Sequence, residues 1–314
     1  MSATGRRIAL IGCGRMGRVR AEALRALGES VALAYDPDDD AVRSSAPEAR
    51  ALRDPRELEG EALDALFVCT PPGARGEAEL ACVRRGVPTF LEKPLAVDEE
   101  GARAWMDARG STSTLVAVGY MNRYRTSVLA ARDKVRDEGL VAASGIWTCG
   151  PYARDWWRDP ELSGGPLNEQ MTHLVDLLRF VGGEVELVST IGRADDSEPA
   201  TASEAAIALR FEGGAVGTLA YSCEAKEKGI GLRLVTRQRP FALEGWDFQD
   251  PTAPAADEDV FLAETRGFLA LASGQARPDG LVDLDDAART HRVVAAIRRS
   301  LAQGGTPVRV GDAR

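Results

Sequence analysis

The segment Ile8-Ala9-Leu10-Ile11-Gly12-Cys13-Gly14-Arg15-Met16-Gly17 decides how this chain folds. Four apolar residues in a row suit a strand buried on both faces, and the glycines that follow fit the pattern GxGxxG. The pattern carries weight here because it stands directly after a strand and opens a helix, Met16–Leu27. In that setting Gly12 permits a tight turn, Gly14 lets the main chain approach a pyrophosphate, and Gly17 lets the helix pack closely. The N–H groups of the helix start, around Arg15 and Met16, would face the phosphates. An acidic residue is expected about 20 positions further on, to accept hydrogen bonds from ribose hydroxyls. Asp36 fills that place, closing a second strand, Val31–Tyr35. Asp38, Asp39 and Asp40 follow it, so a 2′-phosphate would meet like charge. The reading is a dinucleotide cradle for NAD, with NADP disfavoured.

Outward from this motif, short apolar runs alternate with helical stretches. Leu63–Cys69, Pro88–Leu91 and Leu115–Gly119 read as further strands. A broken helical stretch over Ala41–Leu58, then Ala74–Arg85 and Asp98–Arg109, read as the helices between them. Such alternation predicts a doubly wound parallel sheet, an α/β Rossmann domain over residues 1–122. After that the rhythm changes. A helix, Thr126–Asp137, leads to a strand, Val141–Cys149, and a helix from Leu167 to Val181 follows a loop rich in Trp and Pro. Val185–Ile191, Ala205–Phe211, Ala215–Cys223 and Ile230–Thr236 then read as strands, with a hairpin turn at Glu212-Gly213-Gly214. Pro251–Asp257 reads as a loop, and Val260–Ser273 and Asp285–Leu301 as closing helices. The second domain, 123–314, is therefore expected to be α/β with a mainly antiparallel sheet. Its final helix and tail are expected to pack back on the first domain.

Composition narrows the function. The chain has 314 residues, 44% hydrophobic and 28% charged, which is too apolar for a disordered chain. No stretch approaches the ~18 uninterrupted apolar residues of a membrane span. Arg6 and Arg7 precede only a short apolar run, so a signal peptide is not expected, and the default location is the cytoplasm. A net charge of −9 argues against a nucleic-acid partner. The 5 cysteines lack metal-ligand spacing, so no metal is expected. Only two histidines, His173 and His291, and four lysines are present. His291 sits among arginines on the last helix and reads as a surface residue.

Further motifs, in order, are Cys69-Thr70-Pro71-Pro72, Glu92-Lys93-Pro94, Gly119-Tyr120-Met121-Asn122-Arg123-Tyr124, and Gly164-Gly165-Pro166 before Glu169-Gln170-Met171-Thr172-His173-Leu174-Val175-Asp176. Together with the glycine fingerprint they resemble the Gfo/Idh/MocA oxidoreductases over nearly the whole chain. The resemblance implies a Rossmann domain followed by an open-faced, mainly antiparallel sheet domain. It implies hydride transfer between NAD(P) and a sugar, cyclitol or related polyol, and homo-oligomers, dimer or tetramer, formed through that sheet. By motif, Thr70, Pro71 and Pro72 would line the cofactor and Glu92 would lie near the nicotinamide. Lys93 would be the active-site lysine and His173 the catalytic histidine, with Glu169 beside it. Trp157-Arg158 resembles a pair that reaches over the nicotinamide in some members. Three departures stand out: Arg75 where the family often has histidine, Glu169 where aspartate is common, and a loosely matched Asn122-Arg123.

The chemistry of these residues suits that role. An ammonium at Lys93, on a strand's carboxyl end, can hydrogen-bond a reacting oxygen and stabilise charge developing on it. Imidazole at His173 can take a hydroxyl proton and return it in the reverse direction. Glu169 and His173, four residues apart on one helix, would share a face, with Glu169 orienting the ring or binding a substrate hydroxyl. Arg123 would either meet an acidic substrate group or close a turn. Two other functions fit the same motifs: glycoside cleavage through transient oxidation by NAD, and a catalytically silent NAD-binding regulator.

Overall fold

The computed structural model describes residues 5–110, 112–193, 202–254 and 259–311. Residues 255–257 of the expected loop lie outside them. The chain divides into two compact units: Met1–Leu95, Glu100–Met121 and Asp259–Ala287 in one, and Ala96–Glu99, Asn122–Glu258 and Ala288–Arg314 in the other.

The first unit is built on β1 (Ile8–Ile11), β2 (Val31–Tyr35), β3 (Arg50–Ala51), β4 (Ala65–Val68), β5 (Thr89–Glu92) and β6 (Val116–Gly119). They form one sheet in the order β3-β2-β1-β4-β5-β6, parallel throughout. Every residue of β1, β4, β5 and β6 is buried, as strands covered by helices on both faces must be. The helices are α1 (Arg15–Ala26), α2 (Asp39–Ser45), α3 (Glu77–Arg84) and α4 (Glu99–Arg109). Phe67 of β4, Phe90 of β5 and Phe268 form a trio of ring contacts at 5.3–5.5 Å. Phe268 belongs to the returning segment, so this part of the chain completes the first core.

The second unit carries β7 (Leu140–Thr148), β8 (Val185–Arg193), β9 (Glu204–Phe211), β10 (Val216–Ser222), β11 (Gly229–Thr236), β12 (Pro240–Glu244) and β13 (Val308–Arg309). Their order is β12-β11-β7-β10-β9-β8-β13. All pairs are antiparallel except β7 with β10. Side chains alternate along β7, β9 and β10. One face, with Trp147, Ile207, Leu209 and Leu219, joins the core to which α5 (Thr126–Glu138) and α8 (Thr172–Gly182) contribute. The other face is open. Two short helices, α6 (Asp155–Arg158) and α7 (Pro160–Ser163), precede α8.

The structure corrects the expected return of the chain. The segment that packs on the first unit is 259–287, which contains α9 (Val260–Ala272), whereas the last helix from Ala288 and the tail go with the second unit. Side-chain chemistry explains the difference. Phe268 and Leu269 extend the Phe67–Phe90 cluster, while Val293, Val294, Ala296 and Ile297 of α10 (Leu284–Ala302) join the second core. His291 is likewise not on the surface. It is 4% exposed, hydrogen-bonded to the Asp98 backbone, and burial pushes its pKa down to about 4. Its Nε2 has no hydrogen-bond partner among the described residues.

Candidate active site

In the first unit, two of the fingerprint glycines, Gly12 and Gly17, are required sterically, each for a different reason. Gly12 has φ +87°, and a Cβ there would lie 2.7 Å from the Cys69 carbonyl carbon and the Thr70 nitrogen. A Cβ on Gly17 would lie 2.0 Å from the Gly12 oxygen, so α1 approaches β1 as closely as main chain allows. A Cβ on Gly14, by contrast, would meet nothing within 4 Å. Gly14 caps α1 with no side-chain hydrogen bond, so the helix start is open to an anion. Asp36 accepts from the Cys13 N–H at 2.7 Å and the Asp38 N–H at 3.0 Å. Each carboxylate oxygen keeps a further lone pair for a hydroxyl. Thr70, at the end of β4, has a buried Oγ1 with no partner among the described residues. An open cradle, an acidic strand end and an orphaned hydroxyl fit a dinucleotide such as NAD.

Glu92 and Lys93 follow from β5. The Glu92 carboxylate is buried and accepts from Arg20 Nε at 2.7 Å, and Arg20 also donates to Glu264 at 2.5 Å. Burial opposes the Arg20 charge, but the two carboxylates outweigh it and raise its pKa. Glu92, expected near the nicotinamide, thus has its carboxylate engaged in a structural ion pair. Lys93 is partly exposed, and its peptide bond to Pro94 is cis.

In the second unit, Glu169 and His173 are not on one regular helix. Leu167–Met171 form a π-helical turn, the wide turn often found at functional sites, and α8 begins at Thr172. Asn168 fixes that turn by donating to the carbonyls of Ala96 at 3.0 Å and Ser163 at 2.9 Å. Glu169 is buried and accepts from Trp157 Nε1 at 3.1 Å. His173 is 5% exposed and stacks on Trp147, with ring centroids 5.3 Å apart. Trp157 and the exposed Arg158 line a recess of about 240 Å³ with Gly165, Pro166, Cys223 and Glu224. Arg123 is engaged within the second unit. Its guanidinium is 4% exposed and grips Asp176 through Nε at 2.9 Å and Nη2 at 2.6 Å, and it lies over the Phe180 ring. No group of three or more His, Cys, Asp or Glu suited to a metal exists among the described residues.

Residues 6–120 match the family model described as oxidoreductase family, NAD-binding Rossmann fold, and residues 140–238 match the Gfo/Idh/MocA C-terminal domain. The chain belongs to the Gfo/Idh/MocA oxidoreductases. Among curated members, the myo-inositol 2-dehydrogenase of Thermotoga maritima is 27% identical over 236 residues, covering 68% of this chain and 67% of that enzyme. The inositol 2-dehydrogenase of Paracoccus denitrificans is 30% identical over 183 residues, which span 56% of this chain and about half, 54%, of that enzyme. The WlbA dehydrogenase of Bordetella pertussis, solved with NADH and UDP-GlcNAcA, superposes with a TM-score of 0.87 at 19% identity, over 98% of this chain and 100% of that one. That superposition speaks for the fold.

Two groups in this family member escaped the sequence reading, and so did the role of a third. Arg20 was one more arginine on an amphipathic helix, and only burial distinguishes it. Trp147 lies in an apolar strand, where an aromatic residue is ordinary core. Arg75 was noted for its departure from the family's histidine, but its partners are main-chain oxygens, and these leave no trace in residue types.

Proposed function

We propose that this chain is an NAD-dependent dehydrogenase acting on a hydroxyl, or in reverse a carbonyl, of a sugar, cyclitol or related polyol. The observation that carries the reading is the open cradle at Gly14, closed behind by Gly12 and Gly17, in a family whose named members include inositol dehydrogenases. Gly12, Gly14, Arg15, Met16, Gly17, Asp36, Thr70, Pro71 and Pro72 would hold the dinucleotide, with Trp157 and Arg158 as further contacts. The bound nicotinamide supplies a reversible hydride acceptor. His173 takes the hydroxyl proton onto its imidazole while the Lys93 ammonium donates to the same oxygen, holding charge as the carbonyl forms. Glu169, steadied by the Trp157 indole, binds a neighbouring hydroxyl or orients the imidazole. Asp36 and the acidic residues after it favour NAD over NADP.

The preparation is incubated with NAD and a panel of sugars and cyclitols, with NADH and their keto forms in the other direction, while absorbance at the NADH band is followed. Turnover on at least one polyol is expected, falling on the order of 100-fold in Lys93→Met with NAD affinity kept. Hydride transfer by Lys93→Met at the wild-type rate would refute the assignment.

The open face of the second sheet supports self-association. Ile146, Ala220, Ala206 and Ile191 line up across β7, β10, β9 and β8, and Val216 stands on the same face of β10, four residues before Ala220. Ile191 is 72% exposed and Val216 55%. An exposed apolar row of this kind suits a second copy of the chain. Light scattering should give a multiple of the monomer mass, reduced to the monomer by Val216→Asp with Ile146→Asp.

A further inference from the structure

Resting on the reading of Lys93 as the group that works on the reacting oxygen, we propose that Arg75 is the residue that positions it, by gripping the peptide carbonyls on either side of Lys93. Arg75 Nη1 donates to the Pro94 oxygen at 2.7 Å and the Leu95 oxygen at 3.0 Å. Its Nη2 donates to the Glu92 oxygen at 2.6 Å and the Thr70 oxygen at 3.2 Å. Glu92 and Pro94 are the chain neighbours of Lys93, so the backbone carrying the lysine is held before and after it. The Thr70 contact ties the same guanidinium to the end of β4, in the stretch assigned to the cofactor. One side chain therefore sets two strand ends against each other.

The shape of the group explains why arginine stands here. A guanidinium presents five N–H donors in a rigid plane, and four carbonyls spread around one edge match that fork. An ammonium is a point donor on a flexible stem, and an imidazole offers at most two N–H groups. Hydrogen bonds from a charged donor are also shorter and stronger than neutral ones. None of the four bonds ends on a carboxylate, so Arg75 is not half of an ion pair. Nor does it suit a substrate anion: both terminal nitrogens are engaged, and Nε is buried without a partner. Burial holds its pKa down at about 10, which still leaves it protonated at neutral pH. Arg20 complements it, holding the Glu92 side chain while Arg75 holds the Glu92 main chain. Lys93 thus stands on a turn whose flanking carbonyls, those of Glu92 and Pro94, are both held.

The scarcity of lysine permits a readout that does not depend on activity. Only Lys93, Lys134, Lys226 and Lys228 are present, so reductive methylation with ¹³C-formaldehyde yields a short list of NMR resonances. The variants are Arg75→Lys, which keeps charge but loses the fork, and Arg75→Ala, tested with and without millimolar guanidinium. In Arg75→Lys the Lys93 resonance should shift or broaden while the other three stay in place. Turnover should fall on the order of 10- to 100-fold, as expected when a reacting group is misplaced by about 1 Å, with NAD affinity within about 3-fold. Added guanidinium should restore part of the rate to Arg75→Ala. A Lys93 resonance and turnover both unchanged in Arg75→Lys would overturn the proposal, as would equal displacement of all four lysine resonances. Lys93→Met separates the two ideas. If it retains full turnover while the Lys93 resonance still answers to Arg75, the positioning stands and the catalytic reading of Lys93 falls.

Discussion

Trp147 lies flat against His173, the two ring planes 4° from parallel and the centroids 5.3 Å apart. The indole comes from β7 in the floor of the second sheet, so it fixes the plane of the imidazole from beneath. Trp246 meets both rings near edge-on, at 66° and 67°, and closes the cluster. Aromatic pairs of this kind contribute about 0.5–1.5 kcal/mol beyond the area they bury. If His173 is the proton acceptor, Trp147→Leu should lower turnover roughly 2- to 10-fold with NAD affinity unchanged. Steady-state kinetics alongside NAD titration checks this, and unaltered turnover would remove the stack from any account of the chemistry.

Asp36 has two tasks, since it also accepts from the Cys13 N–H inside the glycine loop. A small residue there would disturb the loop as well as the ribose contact. Asp36→Asn keeps an acceptor for Cys13 and removes the charge. It should reduce the preference for NAD over NADP by roughly 1–3 kcal/mol, without loss of thermal stability of comparable size. The ratio of kcat/KM for the two cofactors is the measurement, and a wild-type enzyme that uses both equally would contradict the premise.

Arg123 and Asp176 offer a test of a different kind. Arg123→Met leaves the Asp176 carboxylate, 1% exposed, without its guanidinium partner. Breaking one side of a buried pair costs about 3–5 kcal/mol, read as a lower urea midpoint. A substrate-binding arginine would behave otherwise, raising KM while the urea midpoint stayed put.

His291 should make stability depend on pH. Its folded-state pKa of about 4 lies below the 6.5 of an ordinary imidazole, because burial disfavours the cation. Between those values the unfolded chain binds a proton that the folded chain does not. The contribution of the neutral ring is therefore complete above pH 6.5 and is lost as pH falls towards 4, amounting to on the order of 3 kcal/mol. Denaturant unfolding of wild type and His291→Gln across that window should show a difference that narrows with acid. A constant difference would mean that the ring titrates alike in the folded and unfolded chains.

Much of the first unit was legible from residue order alone. The run Ile8–Ile11 can only be a buried strand, and Gly12 and Gly17 stand where a Cβ would strike main chain. Asp36 ends β2 as expected. What escaped notice carried no periodic signal. β3 is two exposed residues, Arg50–Ala51, paired only with β2 in the sheet, and β12 is a short edge strand opened by Pro240. The helix around Glu169 read as regular because a π turn changes hydrogen bonding without changing residue types. His291 was misjudged because charge and polarity suggest exposure, and only the assembled core shows that it lies inside.

Because α9 supplies Phe268 to the first core and Glu264 to Arg20, the first unit is not finished when its last strand is made. On the ribosome, β6 is complete at Gly119, yet Ala287 closes the unit only after six of the seven strands of the open sheet, β7 to β12, have been synthesised. At about 5–20 residues per second the wait is on the order of ten seconds or more. Throughout that interval the nascent sheet holds a bare phenylalanine pair, and Arg20 has Glu92 but not Glu264 for company. The first unit is therefore completed only after most of the second has been made, and a fragment cut at the first domain boundary would lack the piece that seals it.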